Sequence, residues 1–306
     1  MLYTRGLGES MRNILWLLLI VVLGAGYTDP EVHVQTELEY EGEGGALVTF
    51  TFNTLSPEVS VDLVPGGAEA LFILDTGSPI NLADVGHFDE TPGLHTRALR
   101  GLGLFFPSIY VIFSDWLSDD KPVWGILGSN ILKWFDWEIN FALRYLSLST
   151  EPIEPEADET AIPFSLRGGG IYQAGDGSLL EVGATRYLVS IAIEGRTAVG
   201  LFDSGASHMG ISDLLMHELG MEERPDMGDK LMSTAHGEIS VQLTELYSIY
   251  FPTDPARTQV VDTSAAVLPD SFFDDLRQET GQHVELLIGG SFPRNFSVRC
   301  DHTRSK

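Results

Sequence analysis

Two short stretches of the sequence decide the fold: LFILDTGS at residues 71–78 and VGLFDSGA at residues 199–206. Each is an apolar run that ends in an aspartate, a hydroxyl residue, a glycine and a small residue. A short apolar run bounded by turn residues is typical of a buried strand. The pattern therefore predicts two strands, each of which carries an aspartate into a tight turn.

A second matched element follows each of these stretches. ILG at residues 126–128 corresponds to LIG at residues 287–289, and the apolar residues downstream of each also match. The halves differ in length between the two elements, which indicates insertions. Because two ordered elements recur in both halves, the sequence predicts a duplicated lobe.

An acidic, Pro-rich segment separates the repeats. Residues 151–161 show no apolar periodicity, and such a composition favours a solvated linker. We therefore expect an N-terminal lobe at residues 27–150 and a C-terminal lobe at residues 162–306.

Strand patterns dominate the chain. Apolar residues alternate with period two over residues 47–52 and 188–194, and 32 Gly and 15 Pro supply frequent turns. Helical patterns are few, and the best is residues 213–219, with Ser212 as N-cap and Gly220 as the stop. The sequence predicts an all-β protein.

The N-terminus has the composition of a secretory signal. Arg12 precedes an apolar run from Ile14 to Gly26, which is short of the roughly 20 residues that a membrane span needs. We expect residues 1–26 to be a signal peptide and the protein to be exported, either periplasmic or secreted. Two alternatives stay open: an uncleaved segment that anchors the protein to a membrane, and a true start at Met11.

Charge and cysteine content exclude several classes of function. Asp and Glu number 44 against 18 Lys and Arg, a net charge of −26. This charge argues against nucleic-acid binding, which requires basic residues to neutralise phosphates. The one cysteine, Cys300, rules out an internal disulfide and multi-cysteine metal sites.

These motifs together resemble the aspartic proteases, and the resemblance covers most of residues 45–301. It implies two similar retropepsin-like β-barrel lobes, related by a pseudo-two-fold axis and containing few short helices. It also implies that Asp75 and Asp203 are catalytic and face each other between the lobes. No metal and no other cofactor are implied.

The resemblance also assigns supporting roles to neighbouring residues. In each loop a hydroxyl residue would bond across to the opposite loop, and a glycine would allow the two loops to approach closely. Further glycines would let the apolar strands pass beneath the loops. The loop residues are Thr76, Gly77, Ser78, Ser204, Gly205 and Ala206, and the glycines beneath them are Gly128 and Gly289.

Paired carboxylates suit the hydrolysis of peptide bonds. Two carboxylates a few ångströms apart cannot both ionise, so they share one proton. The ionised member draws a proton from water, and the protonated member stabilises the tetrahedral intermediate. We expect an endopeptidase that cleaves polypeptides and is active as a monomer. The alternative is an inactive relative that binds peptides or partners through the same cleft.

A flap over the cleft has one candidate in each half. Residues 230–243 have the pattern of two strands around a turn at His236-Gly237, where an ordinary surface hairpin is the alternative. In the first half the candidate is residues 99–103, which lack the tyrosine found at the flap tip of pepsins.

Two asymmetries between the halves give further expectations. The Ser78 hydroxyl could donate a hydrogen bond to Asp75, whereas Ala206 has no donor, so Asp203 should more often keep the shared proton. The alternative is that Ser78 caps a turn. The second half also lacks a counterpart to the strand at residues 144–149, and we expect residues 162–182 to cover the exposed edge.

Overall fold

Strands make up most of the regular structure. The computed structural model describes residues 32–42, 46–49, 51–52, 56–63, 69–115, 123–156, 159–224, 227–234 and 237–302. The strands of the first half are β1 (Val32–Val34), β2 (Ala46–Thr49), β3 (Thr51–Phe52), β4 (Pro57–Asp62), β5 (Ala70–Asp75), β6 (Asn81–Asp84), β7 (Gly93–Gly101), β8 (Leu104–Ser114), β9 (Val123–Gly128), β10 (Asp136–Asn140) and β11 (Tyr145–Ser149).

The second half continues in the same manner. Its strands are β12 (Phe164–Arg167), β13 (Gly170–Gln173), β14 (Leu179–Val182), β15 (Arg186–Ile193), β16 (Arg196–Phe202), β17 (Met209–Ser212), β18 (Asp229–Thr234), β19 (Gly237–Leu246), β20 (Ile249–Tyr250), β21 (Thr263–Leu268), β22 (Val284–Ile288) and β23 (Ser297–Cys300). The helices are short: α1 (Val85–Phe88), α2 (Ser129–Leu132), α3 (Asp213–Glu218), α4 (Pro255–Thr258), α5 (Asp270–Thr280) and a 3₁₀ turn at Pro293–Asn295. The predicted all-β fold is confirmed.

The same order of strand pairing occurs twice. In the first half, β4, β5, β9, β6, β8 and β7 are neighbours in that order, and a further pairing of β4 with β7 closes these six strands into a barrel. In the second half, β15, β16, β22, β17, β21 and β19 follow the corresponding order. In both, the strand that leads to an aspartate lies parallel to the apolar strand that ends before or at a glycine.

Local sequence explains most elements. The six residues of β5 alternate between buried and partly buried side chains, as the period of two predicts. The Oγ of Ser212 caps α3 by accepting a hydrogen bond from the backbone N of Leu215 at 3.0 Å, and Gly220 follows with a φ of +63°. The predicted helix is confirmed.

A four-stranded sheet within the described residues joins the two halves. It has the order β2-β11-β10-β23, and Trp137 of β10 pairs with Cys300 of β23. The Trp137 ring also stacks on Phe202, the last residue of β16, with centroids 6.1 Å apart. One hydrophobic core therefore continues from the first half into the second.

Residues 162–182 do not cover the edge of β23, so that expectation is wrong. Strand β12 pairs with β15, and β13 and β14 form a hairpin that β1 extends by pairing parallel with β14. This three-stranded sheet lies against the first-half barrel, because its buried side chains pack against strands β6 and β8. The local pattern gave no information on which distant strand would be its partner.

No helix in the part of the chain that the structure describes is long and apolar enough to cross a membrane. The predicted signal at residues 1–26 lies outside the described residues. The lobe and linker boundaries remain predictions; the described residues of the 151–160 segment form no helix or strand.

Candidate active site

Asp75 and Asp203 lie at equivalent points of the two repeated units. Asp75 ends β5, and Asp203 directly follows β16. The Oδ1 of Asp75 accepts hydrogen bonds from the backbone N of Gly77 at 2.7 Å and of Ser78 at 3.0 Å. The Oδ1 of Asp203 accepts one from the backbone N of Ala206 at 2.9 Å. Each carboxylate is thus fixed by the turn that follows it.

Reciprocal hydrogen bonds join the two loops. The backbone N of Thr76 donates to the Oγ of Ser204 at 3.0 Å, and the backbone N of Ser204 donates to the Oγ1 of Thr76 at 2.9 Å. Each hydroxyl also donates onward across the pair, Thr76 to the Phe202 carbonyl at 2.9 Å and Ser204 to the Leu74 carbonyl at 2.7 Å. Both residues are fully buried, so these hydrogen bonds between the loops are shielded from solvent and strengthened by the low local dielectric.

The glycines of the loops pack directly on the opposite aspartates. A β-carbon placed on Gly77 would lie 2.4 Å from the Cγ of Asp203, and one placed on Gly205 would lie 2.4 Å from the Cγ of Asp75. Real side chains do not approach so closely, so these two positions require glycine. The structure therefore places the two carboxylates next to each other.

The predicted glycines beneath the loops also lie at equivalent positions. A β-carbon on Gly128 would lie 2.3 Å from the carbonyl oxygen of Ile80, and one on Gly289 would lie 2.0 Å from that of His208. The next residue after each glycine donates a backbone hydrogen bond to a loop carbonyl: Ser129 to Ser78 at 2.8 Å and Gly290 to Ala206 at 2.7 Å. These contacts support both loops from below.

Desolvation and mutual repulsion govern the charge state of the pair. The protein around Asp75 desolvates its carboxyl and raises its pKa well above the ordinary value, and the charge of Asp203 and a hydrogen bond with it raise the pKa further. The Gly77 amide and the charge of Arg186 oppose this rise. The pair therefore retains a proton at a pH where an isolated aspartate is ionised.

The predicted role of Ser78 is wrong. Its hydroxyl donates to the carbonyl oxygen of Ile80 at 2.8 Å, so it caps a turn rather than bonding to Asp75. The assignment of the shared proton to Asp203 relied on that bond to Asp75, so it loses its basis. Sequence alone could not distinguish these alternatives, because within this short turn the Ser78 hydroxyl has two possible acceptors, the Asp75 carboxylate and a backbone carbonyl.

The second-half flap candidate forms a hairpin. Strands β18 and β19 pair antiparallel from Asp229↔Gln242 to Thr234↔Gly237. His236 lies outside the described residues, so its part in a flap stays a prediction, as does that of Gly237.

The first-half flap candidate is wrong. Residues 99–101 are the end of β7, where Gly101 pairs with Val61 of β4 and closes the barrel, and residues 102–103 form the turn to β8. Leu99 and Leu102 are fully buried. Their burial shows that this turn packs into the barrel and does not project over the aspartates.

Sequence reasoning missed a buried ion pair, of which the Arg186 charge lowers the pKa of Asp75. Arg186 of β15 donates to Glu279 of α5 through Nε at 2.9 Å and Nη2 at 2.8 Å, and the Tyr172 hydroxyl donates to the same carboxylate at 3.0 Å. These three residues are distant in sequence, and no local motif marks them. In the part of the chain that the structure describes, no group of three His, Cys, Asp or Glu side chains is arranged to hold a metal.

The fold and these loops define an all-β protein of the retropepsin-like type. A family model described as aspartyl protease matches residues 189–292, a stretch that contains Asp203, Ser204, Gly205 and Gly289. No curated protein matches the chain. The match places the second-half unit, residues 189–292, in the aspartic protease superfamily.

Proposed function

We propose that this chain is an exported aspartic endopeptidase, in which Asp75 and Asp203 activate a water molecule for the hydrolysis of peptide bonds. The observation that carries the proposal is the set of reciprocal hydrogen bonds between Thr76 and Ser204. A protein that only bound peptides would not require two aspartates held against each other by buried bonds.

The proposed chemistry uses one protonated and one ionised carboxyl, as a close pair of carboxylates provides. We assign the shared proton to Asp75, whose pKa is raised, and the role of base to Asp203. Asp203 takes a proton from the water as its oxygen attacks the peptide carbonyl. Asp75 donates a hydrogen bond to the carbonyl oxygen, where negative charge develops. The tetrahedral intermediate then collapses: the carbon–nitrogen bond breaks as Asp203 gives the proton that it took from water to the amine nitrogen. The pair again holds one proton, and no covalent enzyme intermediate forms.

The test compares the purified full chain with Asp75→Asn and Asp203→Asn on a denatured, fluorescently labelled polypeptide between pH 3 and pH 8. Each substitution should lower the cleavage rate by roughly 10³-fold or more, since the two carboxylates act as a unit. Asp274→Asn, at a carboxylate that is 67% exposed on α5, is the matched control and should retain the activity of the parent. Equal cleavage by all four proteins would contradict the proposal, and binding without cleavage would indicate a peptide-binding relative.

One copy of the chain supplies both aspartates, so we propose that the monomer is active. Specific activity in the same assay should therefore stay constant on dilution through the micromolar range, and a steep loss would contradict this. The proposal of export rests on the apolar segment at residues 14–26. Sequencing the N-terminus of protein recovered outside the cytoplasm tests it, since an uncleaved segment would indicate an anchored form.

A further inference from the structure

The registers of the two sheets show that the equivalent strands β7 and β19 begin at different points. In the first half Ile112 of β8 pairs with Leu94 of β7, and in the second half the equivalent Ala266 of β21 pairs with Leu243 of β19. Strand β7 begins one residue before Leu94, whereas β19 begins six residues before Leu243 and forms a hairpin there with β18. The first half therefore lacks the projecting hairpin of the second.

The turn of the β13–β14 hairpin lies where the missing element would begin. A β-carbon placed on Gly93, the first residue of β7, would lie 2.6 Å from the Oδ2 of Asp176. A β-carbon placed on Gly175 would lie 3.3 Å from the Cβ of Pro92. The hairpin turn is thus in direct contact with the start of β7.

The inner face of the hairpin packs beside the catalytic loop. Tyr172, Leu180 and Val182 form one buried apolar cluster with Ile80 and Ile112. Ile80 belongs to the loop that follows Asp75, since its carbonyl accepts the Ser78 hydroxyl bond and touches the Gly128 position. The apolar surface beside the Asp75 loop is therefore covered by side chains of the β13–β14 hairpin.

Polar contacts fix the hairpin to the second half as well. The Tyr172 hydroxyl donates a hydrogen bond to Glu279, whose carboxylate also accepts hydrogen bonds from the Nε and Nη2 of Arg186. The Arg186 and Glu279 side chains are 11% and 8% exposed, and breaking such a buried pair leaves an uncompensated charge. Strand β1 pairs along the outer edge of β14. The hairpin is consequently held from three sides.

We propose that the β13–β14 hairpin is a fixed wall of the substrate cleft, and that Leu180 and its neighbours determine which substrate side chain fits beside Ile80. The inference rests on the proposed peptidase function and adds a specificity determinant to it. Because the hairpin side chains occupy the space beside Ile80, we expect the enzyme to prefer substrates with a small side chain at the position that binds there.

Leu180→Ala tests the wall, with Leu148→Ala as the matched control. Both leucines are 1% exposed, and Leu148 lies on β11 in the core shared by the halves. Cleavage sites in a peptide library are sequenced for the parent and both variants. Leu180→Ala should raise kcat/KM about tenfold for substrates with a bulky apolar residue at one position, since a difference of a few methylenes in a pocket has effects of this size. Leu148→Ala should lower stability without changing the preference.

The outcomes separate the two proposals. An active parent with the same cleavage preference in Leu180→Ala, or an equal change in Leu148→Ala, overturns the wall and leaves the peptidase intact. A parent that cleaves no peptide overturns the proposed function, and the wall with it.

A disulfide tests whether the wall is fixed. Pro92→Cys with Gly175→Cys places two β-carbons near the usual disulfide separation of about 3.8 Å, and the natural Cys300 is buried. The oxidised and reduced forms should have equal kcat and KM if the hairpin does not move during turnover. A loss of activity on oxidation, restored on reduction, would show a moving lid and overturn the fixed wall.

Discussion

At the scale of single residues, the close contact between each loop glycine and the opposite aspartate is the most sensitive feature. Gly77→Ala would place a methyl group 2.4 Å from the Cγ of Asp203, so the loops must separate. We expect a loss of about 1–3 kcal/mol in the free energy of unfolding, as for other overpacked sites. Activity should fall about a hundredfold or more, because small displacements of catalytic groups have large effects.

Gly183→Ala is the control for this substitution. No atom lies within 4 Å of a β-carbon placed on Gly183, so stability should change by less than about 0.5 kcal/mol. Thermal unfolding and cleavage rates of the two variants decide the matter. Similar stability and activity of both variants would show that the close contact between Gly77 and Asp203 is not required.

The residues of the loops could be predicted because their chemistry is repeated in the sequence. Asp75 and Asp203, with their hydroxyl and glycine neighbours, stand out as a pair that no single motif would reveal. The ion pair of Arg186 with Glu279 could not be predicted, since its partners meet only through the fold. The Ser78 hydroxyl was misassigned for a related reason. Its acceptor, the carbonyl of Ile80, comes within reach only through the backbone conformation of the turn.

At the scale of elements, strand β23 is the least expected link between the halves. Its Cys300 is 5% exposed, and burial together with the charges of Asp136 and Asp301 raises the pKa of the thiol. Because the thiolate is the reactive form, the native protein should resist a thiol reagent at pH 8 and react fully once unfolded.

Arg299→Gln should loosen this strand. Arg299 donates to Glu138 at 3.1 Å and to Glu159 at 3.0 Å. Hydrogen bonds to charged groups contribute about 1.5–3 kcal/mol each, so Cys300 should be labelled at least about tenfold faster in the variant. Rapid labelling of the parent would contradict a strand held in the shared sheet.

Elements with a local signal were predicted, and those set by distant pairing were not. The helix after Ser212 has a cap and a stop in the sequence. Helix α5 was missed, although its buried Phe273, Leu276 and Thr280 have helical spacing and Gly281 ends it. The packing partners of the β13–β14 hairpin could not be predicted, because β1 and the first-half barrel are far away in sequence.

At the scale of the whole molecule, the aspartate pair should make stability depend on pH. The raised pKa of Asp75 means that the folded protein binds a proton more tightly than the unfolded chain. The free energy of unfolding therefore falls as the pH rises. The contribution is complete below the ordinary aspartate pKa of about 3.9 and is lost as the pH rises through the raised value.

Asp75→Asn removes this titration. Relative to the variant, the parent should lose thermal stability between pH 4 and pH 7, as measured by circular dichroism at several pH values. Asp274→Asn should follow the parent. If the thermal stabilities of the parent and Asp75→Asn change with pH in the same way, the aspartate pair does not contribute to the pH dependence.

Asp75 and Asp203 lie at equivalent points of two units with the same strand pairing. In the proposed peptidase, such a pair by itself would act on a peptide equally well in either chain direction, because exchanging the two carboxylates changes nothing. Their surroundings in this chain do not match: β13–β14 stands against one half, and β18–β19 extends from the other. A peptide bound across the pair would therefore contact different elements on its amino and carboxyl sides, and its two chain directions would differ in binding energy. The proposed peptidase would thus bind its substrate in one preferred chain direction, a preference that a symmetric dimer of either half would lack.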